Sequence, residues 1–174
     1  QHSLVVRIEG TSLPTELIVL GSHLDSINGF GGTSRAPGAD DNASGTATNL
    51  EIFRIMMEEG LKPSRTIEIH AYAAEEIGLV GSQNMATRYK DAGINVVAMV
   101  QHDMTIYKAA GAEDKIWFVT SNTDTGFNDL LGQLVDGYVH LAWGKEALSG
   151  GTSDHASWRR AGYATAFPFE NPRS

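Results

Sequence analysis

Four short stretches of the sequence concentrate side chains that bind metal ions or transfer protons. In the first, His23 and Asp25 lie two residues apart, directly after an apolar run that ends at Leu20. Side chains at this spacing in an extended segment point the same way, so the carboxylate can orient a metal-binding imidazole. Taken alone, such a pair is also compatible with an ordinary structural role.

The second stretch places Asp40 and Asp41 immediately before a predicted helix. Asn42 or Ser44 can cap the amino end of that helix, which is one complete explanation for a single polar residue here. Capping does not require two adjacent carboxylates, however. We therefore expect one carboxylate to bind a metal ion while another polar side chain caps the helix.

The third and fourth stretches also follow apolar strand-type runs. Glu75 and Glu76 are adjacent, an unfavourable arrangement unless a cation or a proton intervenes, although a solvated turn is an alternative. One of them can bind metal while its neighbour acts as a general base. Asp103 is a further candidate ligand, whereas His102 would face the other way and is expected to be structural.

Composition narrows the class of protein. The chain has 174 residues, a net charge of -8 and no cysteine. The acidic balance argues against a nucleic-acid partner or an anionic membrane surface, and no apolar run is long enough to span a bilayer. Without thiolates, any metal must be held by histidine and carboxylate side chains, a ligand set that suits zinc without excluding magnesium or manganese.

Short β-type runs alternate with helix-type segments along one domain, which predicts an α/β layer fold with a largely parallel sheet. In such folds ligands gather at the carboxyl ends of the strands, where all four stretches fall. The predicted strands are Leu4–Ile8, Leu17–Leu20, Thr66–Ala73, Val96–Val100, Ile116–Thr120 and Ala164–Phe167. The predicted helices are Gly45–Glu59, Ser82–Ala92 and Phe127–His140.

The order of the motifs resembles the M28 family of zinc exopeptidases, with a likeness to bacterial leucyl aminopeptidases of the Vibrio and Aeromonas type. The motifs are His-Leu-Asp from His23, Gly-Ala-Asp-Asp-Asn-Ala-Ser-Gly from Gly38 and Ala-Ala-Glu-Glu-Ile-Gly-Leu-Val-Gly-Ser from Ala73. His-Asp-Met from His102 and Ser-Asp-His-Ala-Ser-Trp from Ser153 complete the series. The resemblance implies a three-layer zinc-exopeptidase fold, with a mostly parallel mixed sheet and helices on both faces.

The resemblance also implies roles for the residues of the four stretches. His23 and Asp103 would hold one zinc ion, Glu76 would hold the other, and Asp40 would bridge the two. Glu75 would be the general base and Asp25 would orient His23. A cis peptide bond would join Asp40 to the next residue, Asp41.

The activity implied by the resemblance is that of a metal-dependent aminopeptidase. It would remove a large apolar N-terminal residue from peptides with a free N-terminus, using a water molecule shared by two zinc ions. A secreted or periplasmic location is expected from the family alone. The family's fifth metal ligand is a histidine beyond an Asn-Pro-Arg segment like the one at Asn171, so we expect a shortened domain with an incomplete second zinc site.

Three alternatives remain at this point. A glutaminyl cyclase-like acyltransferase uses similar carboxylates around a single zinc ion. A catalytically impaired fragment could bind peptides without cleaving them. A serine hydrolase built on Ser153, Asp154 and His155 is disfavoured, because three consecutive residues cannot stack as a triad.

Overall fold

The computed structural model describes residues 2–29, 34–148 and 150–171 as an α/β fold. The strands are β1 (Leu4–Ile8), β2 (Leu13–His23), β3 (Arg65–Tyr72), β4 (Asn95–Gln101), β5 (Lys115–Val119), β6 (Ala142–Glu146), β7 (Thr165–Ala166) and β8 (Pro168–Phe169). The helices are α1 (Gly45–Glu58), α2 (Val80–Asp91), α3 (Thr125–Leu134) and α4 (His155–Ala161), with π-helical segments at Ala39–Ser44 and Val135–Val139. Within these ranges, no helix has the length and apolar character needed to cross a bilayer.

The central sheet has the strand order β1-β3-β2-β4-β7, and β1 alone runs antiparallel to its neighbour. On one face Val19 and Met99 pack against Ala86 of α2 and Trp158 of α4. Helix α1 lies on the other face, where the Thr46 hydroxyl is 3.5 Å from the Ser22 hydroxyl. Helices therefore cover both faces of a mixed sheet, and the predicted three-layer fold is confirmed.

Strands β2, β3 and β4 are parallel and end at His23, Tyr72 and Gln101. Their carboxyl ends therefore meet at one edge of the sheet, which is where open α/β sheets bind ligands. Because each of the acidic stretches after Tyr72 and Gln101 follows its strand directly, the topology brings these stretches next to His23.

A second, smaller sheet has the order β6-β5-β8. β5 matches a predicted strand, but the sequence reading assigned no strand to residues 142–146. The segment Ala-Trp-Gly-Lys-Glu lacks the alternation of a half-buried strand, so local pattern does not mark it. Tertiary packing explains it instead, because the Trp143 ring lies against Gly132 of α3, where a Cβ atom would come within 2.5 Å of the ring.

The predicted helix ends agree closely with the structure. Gly60 and Gly93 follow α1 and α2 with φ angles of 60° and 66°, the left-handed conformation that stops a helix. The third helix begins slightly earlier than predicted, since the Asp124 side chain accepts a hydrogen bond from the Phe127 backbone N–H at 2.9 Å. It continues through the π-helical segment and ends at His140, whose φ is 58°.

A chain of hydrogen bonds crosses the core between the sheet and α4. The Trp158 indole N–H can only donate, and it donates to the Tyr72 hydroxyl at 2.8 Å. The Tyr72 O–H then donates to His70 Nδ1 at 3.2 Å, and His70 Nε2–H donates to the Glu68 carboxylate at 2.9 Å. The direction of every bond is thus fixed by its neighbour, and His70 is held in one neutral tautomer because burial lowers its pKa.

Glu68 is the acceptor at the end of this chain, and its side chain is only 5% exposed. Burial alone would raise the pKa of Glu68, but hydrogen bonds from His70, Tyr89 and Arg7 outweigh burial and lower it to about 2. The Arg7 guanidinium, 2.7 Å away, supplies the compensating charge from the edge strand β1. The ionised carboxylate therefore ties β1 to the buried face of the sheet.

We expect Glu68 to make the protein less stable in acid. Because its folded pKa is depressed, its contribution is present above about pH 4.5 and is lost as the pH falls toward about 2, with a magnitude on the order of 3 kcal/mol. Urea unfolding at pH 6 and pH 3 should show a smaller difference for Glu68→Gln than for the wild type. The exposed Glu59→Gln variant is the control and should behave like the wild type, so equal pH slopes in all three proteins would contradict the prediction.

Candidate metal centre

His23 is the last residue of β2, and only 1% of its side chain is exposed. Its Nδ1 lies 3.0 Å from the backbone carbonyl oxygen of Asp25, which can only accept, so Nδ1 carries the hydrogen and Nε2 is left for other partners. Nε2 lies 3.0 Å from Asp41 Oδ1 and 3.4 Å from Asp103 Oδ2. The three potential ligand atoms lie within 4.8 Å of one another, a separation that one metal ion can bridge.

The electrostatics around His23 favour a positive charge. Burial lowers the pKa of His23, but hydrogen bonds with Asp103 and Asp41 and the charge of Glu75 outweigh burial and raise it to about 11. A proton therefore occupies the imidazole when no metal is present. A metal ion would replace that proton, since a metal-binding histidine must be neutral.

Asp41, not Asp40, is the carboxylate that meets His23 and Asp103. The Asp40 side chain is directed elsewhere, and its Oδ1 accepts the backbone N–H of Ile106 at 3.4 Å. The cis peptide bond likewise joins Asp41 to Asn42, one residue later than the resemblance implied. Asp41 therefore lies in the triad where the resemblance had placed Asp40, because the backbone of residues 39–44 is irregular and spacing alone does not show which carboxylate faces inward.

Asn42 anchors this irregular turn, and it is buried. Its Oδ1 accepts the Gly45 backbone N–H at 3.2 Å at the start of α1, and its Nδ2 donates to the His102 carbonyl oxygen at 3.1 Å. The amide thereby joins the amino end of α1 to the loop after β4. Of the two predicted caps Asn42 fulfils the role, whereas the Ser44 hydroxyl donates to the Asp40 carbonyl oxygen.

Glu75 and Glu76 follow β3 in a tight turn and line the same cavity as the triad. This cavity has a volume of about 250 Å³. Glu76 is held by the Ile27 backbone N–H, which donates to its Oε1 at 3.0 Å, and burial followed by the charge of Asp41 raises its pKa. Burial raises the pKa of Glu75 to about 8, against the attraction of His23 and together with the repulsion of Asp154. Glu75 can therefore take up and release a proton near neutral pH.

Two neighbouring side chains, Ser153 and Gln101, hold Asp103 in place. Its Oδ2 accepts the Ser153 hydroxyl at 2.6 Å, and the Ser153 oxygen in turn accepts the Gln101 side-chain amide at 3.1 Å. Asp103 Oδ1 is buried without a partner among the described residues. An orphaned carboxylate oxygen beside a buried imidazole and a second carboxylate fits a hard or borderline metal ion.

Sequence reasoning missed Ser153 and Gln101 as supports of Asp103. Ser153 lies in the Ser-Asp-His-Ala-Ser-Trp motif, and Gln101 directly precedes His-Asp-Met. The two motifs therefore pointed to these positions but did not show that the residues support Asp103.

The structure also argues against the serine-hydrolase alternative. His155 Nε2–H donates to the Ser121 carbonyl oxygen at 3.0 Å, and Ser153 donates to Asp103, so the two do not form a nucleophile and base pair.

His102 is a structural residue, as the sequence predicts. Its Nδ1 is paired with the Asn49 side-chain oxygen at 2.8 Å, and burial lowers its pKa to about 4. The imidazole is therefore neutral and points away from the triad.

One wall of the cavity is apolar. Phe167 and Phe169 pack with Val119 in a small hydrophobic cluster, and Met104 and Leu148 cover it. All of these except Val119 line the same cavity as Glu75. A polar floor beside an apolar wall is suited to a ligand that carries both a charged and an apolar group.

The mixed sheet, with a carboxylate-rich cavity at the carboxyl ends of its parallel strands, defines the class of zinc-exopeptidase-like α/β folds. The sequence profile of Peptidase family M28 matches residues 3–173, and the chain therefore belongs to this family.

Curated relatives and solved structures agree with this assignment. Leucine aminopeptidase 1 of Fusarium vanettenii is 39% identical over 181 residues, covering 98% of this chain and 45% of that protein. Leucine aminopeptidase 1 of Paracoccidioides brasiliensis is 36% identical and is covered to 46%. The aminopeptidase LapA of Legionella pneumophila superposes with a TM-score of 0.87 at 36% identity, over 97% of this chain and 44% of that one. The chain thus spans less than half the length of these relatives.

We expect the two neighbouring aspartates to differ in metal binding. Asp41→Asn should lower the affinity for Zn²⁺ by at least about 10-fold, because it removes a charged oxygen from the triad. Asp40→Asn is the matched control and should bind Zn²⁺ like the wild type. Competition against a chromogenic chelator measures both affinities, and a larger loss in Asp40→Asn than in Asp41→Asn would restore the original assignment.

Proposed function

We propose that this chain is the catalytic part of a metal-dependent aminopeptidase that hydrolyses the first peptide bond of its substrates. The observation that carries the proposal is the position of Glu75, a half-buried carboxylate with a pKa near neutrality in the cavity that contains His23, Asp41 and Asp103. A proton acceptor beside a metal-binding triad is the combination that hydrolysis of an amide requires.

The assignment of ligands follows the resemblance with one change. His23 and Asp103 would hold one zinc ion, Glu76 the other, and Asp41 would lie between them in place of Asp40. Two ions remain a proposal, since the described residues form one triad and Glu76 stands next to it. Bound metal ions would supply Lewis-acid chemistry here, polarising the substrate carbonyl and lowering the pKa of the attacking water.

Glu75 performs the proton transfers in this proposal. As a carboxylate it accepts a proton from the attacking water, and as a carboxylic acid it returns that proton to the leaving amine. In the metal-free protein burial raises the pKa of Glu75, so the carboxylic acid form that returns the proton is accessible near neutral pH. Burial is the largest cause of this raised pKa.

The cavity supports an exopeptidase acting on an apolar residue. The exopeptidase part of the proposal follows the family resemblance, and the free N-terminus is expected beside Asp41, Glu75 and Glu76, which line one side of the cavity. The apolar wall of Met104, Leu148, Phe167 and Phe169 would receive the first side chain. The names of the fungal relatives, which are leucine aminopeptidases, point in the same direction.

A secreted or periplasmic location is proposed from the family resemblance alone. The glutaminyl cyclase-like alternative is not favoured, because the curated relatives of 36 to 39% identity are named leucine aminopeptidases. Zinc content after dialysis and activity on an N-terminal glutamine peptide distinguish the two functions, since the cyclase would retain one zinc ion and form no free amino acid.

We expect Glu75→Gln to separate catalysis from metal binding. The glutamine keeps the size of the side chain but cannot accept the proton, so kcat for leucine p-nitroanilide should fall by about 10²- to 10⁴-fold. Bound zinc should stay at the wild-type level, whereas Glu76→Gln should lose zinc as well as activity. Activity retained in Glu75→Gln would remove the glutamate from the mechanism.

The apolar wall leads to a separate prediction about substrates. Leucine p-nitroanilide should be cleaved with a kcat/KM at least roughly 100-fold higher than alanine p-nitroanilide, because each of the extra carbon atoms of the leucine side chain adds about 1 kcal/mol or more of binding in an apolar pocket. Steady-state kinetics of the wild type on both substrates provide the measurement. A preference for a charged first residue would contradict the assignment of this wall.

A further inference from the structure

The Asp25 carboxylate binds the backbone of the glutamate pair. Its Oδ1 accepts the Glu75 N–H at 3.0 Å, and its Oδ2 accepts the Glu76 N–H at 3.1 Å. By contrast, its closest approach to His23 Nδ1 is 3.8 Å, and that nitrogen is already bonded to the Asp25 backbone carbonyl oxygen at 3.0 Å. Asp25 therefore accepts a hydrogen bond from His23 with its main-chain oxygen and from the backbone of the two glutamates with its side chain.

The turn that contains Glu75 and Glu76 needs hydrogen-bond partners from another part of the chain. Ala74, directly before it, has a φ of 59°, a left-handed conformation that is unfavourable for a residue with a Cβ atom. The Glu75 carbonyl oxygen is used by the N–H groups of Gly78 and Leu79, at 2.9 and 2.8 Å, where the chain enters α2. The N–H groups of Glu75 and Glu76 point the opposite way, and Asp25 satisfies both.

The direction of the Glu75 side chain follows from this backbone arrangement. Glu76 has a second restraint, because its carboxylate accepts the Ile27 N–H at 3.0 Å. Across the described ranges, by comparison, the Glu75 carboxylate forms no hydrogen bond with another side chain or with the backbone. Its position thus depends on the main chain to which it is attached, and hence on Asp25.

We propose that Asp25 is a positioning residue for Glu75 and Glu76, and that its carboxylate acts on catalysis through their backbone N–H groups rather than through His23. The inference rests on the proposed function, in which Glu75 is the general base. A hydrogen-bonded support contributes to the rate because it fixes the general base to within a fraction of an ångström of its productive position.

Hydrogen exchange of the metal-free protein tests the contact without any reference to activity. In Asp25→Ala, the amides of Glu75 and Glu76 should both exchange at least about 10-fold faster, because they lose their acceptors, whereas in Asp25→Asn at least one of them should, because the amide group keeps one acceptor oxygen. Amides of β2 that precede His23 should be unchanged, as should all amides in Asp91→Asn, an exposed control at the end of α2. Unchanged exchange at Glu75 and Glu76 would overturn the proposal.

A double-mutant cycle tests the consequence for catalysis. Asp25→Asn should lower kcat for leucine p-nitroanilide by about 10- to 100-fold with KM within about 3-fold of the wild type. In the Glu75→Gln background, the same change should lower the residual kcat by less than about 3-fold, because the two residues act as one unit. Equal losses in both backgrounds would mean that Asp25 does not act through Glu75 and would overturn the proposal.

The two experiments also separate this inference from the proposed function. If the wild type cleaves no aminoacyl substrate, the proposed function fails, and faster exchange at the glutamate amides still supports the positioning contact. If the wild type is active and exchange is unaffected by Asp25→Asn, the function stands and the positioning role is wrong.

Discussion

The structure is organised around one electrostatic constraint, the crowding of four carboxylates and an imidazole in a cavity of about 250 Å³. Carboxylates so close together repel one another, and burial removes the water that would screen them. The pKa of Glu75 rises to about 8 by burial, and that of His23 to about 11 despite burial, because the carboxylates stabilise its charged form. Both shifts bring protons into the site. Metal ions would supply the same positive charge without protonating the carboxylates and the imidazole of the site.

Separate hydrogen bonds from the surrounding protein hold the residues of the site in place despite this repulsion. Asn42 fixes the turn that presents Asp41, and Ser153 fixes Asp103. Asp25 fixes the backbone of the glutamate turn. Each of these side chains and turns is therefore held by hydrogen bonds to other parts of the protein, which limits the ordering that metal binding requires.

The sequence predicts those parts of the site that follow from periodicity. His23, Glu75 and Asp103 each come after an apolar run, and parallel strands bring their carboxyl ends together, so their convergence could be predicted. Asp41 could not be distinguished from Asp40, because residues 39–44 form an irregular turn with no repeating direction. The bond between Ser153 and Asp103 joins residues 50 positions apart, and no local pattern encodes it. Strand β6 escaped prediction for the same reason, since it is defined by its parallel pairing with β5, which lies much earlier in the chain.

The buried hydrogen-bond chain and the site meet at Tyr72, the last residue of β3. Its hydroxyl accepts the Trp158 indole N–H in the core, while its backbone carbonyl accepts the Leu24 N–H at 2.8 Å. Leu24 stands between His23 and Asp25, so the packing of α4 on the sheet extends directly to the loop that orients the imidazole and supports the glutamates. Protein cores are close-packed and resist small displacements. The same residue that completes the core therefore limits how far His23 and Asp25 can move relative to the end of β3, from which Glu75 projects.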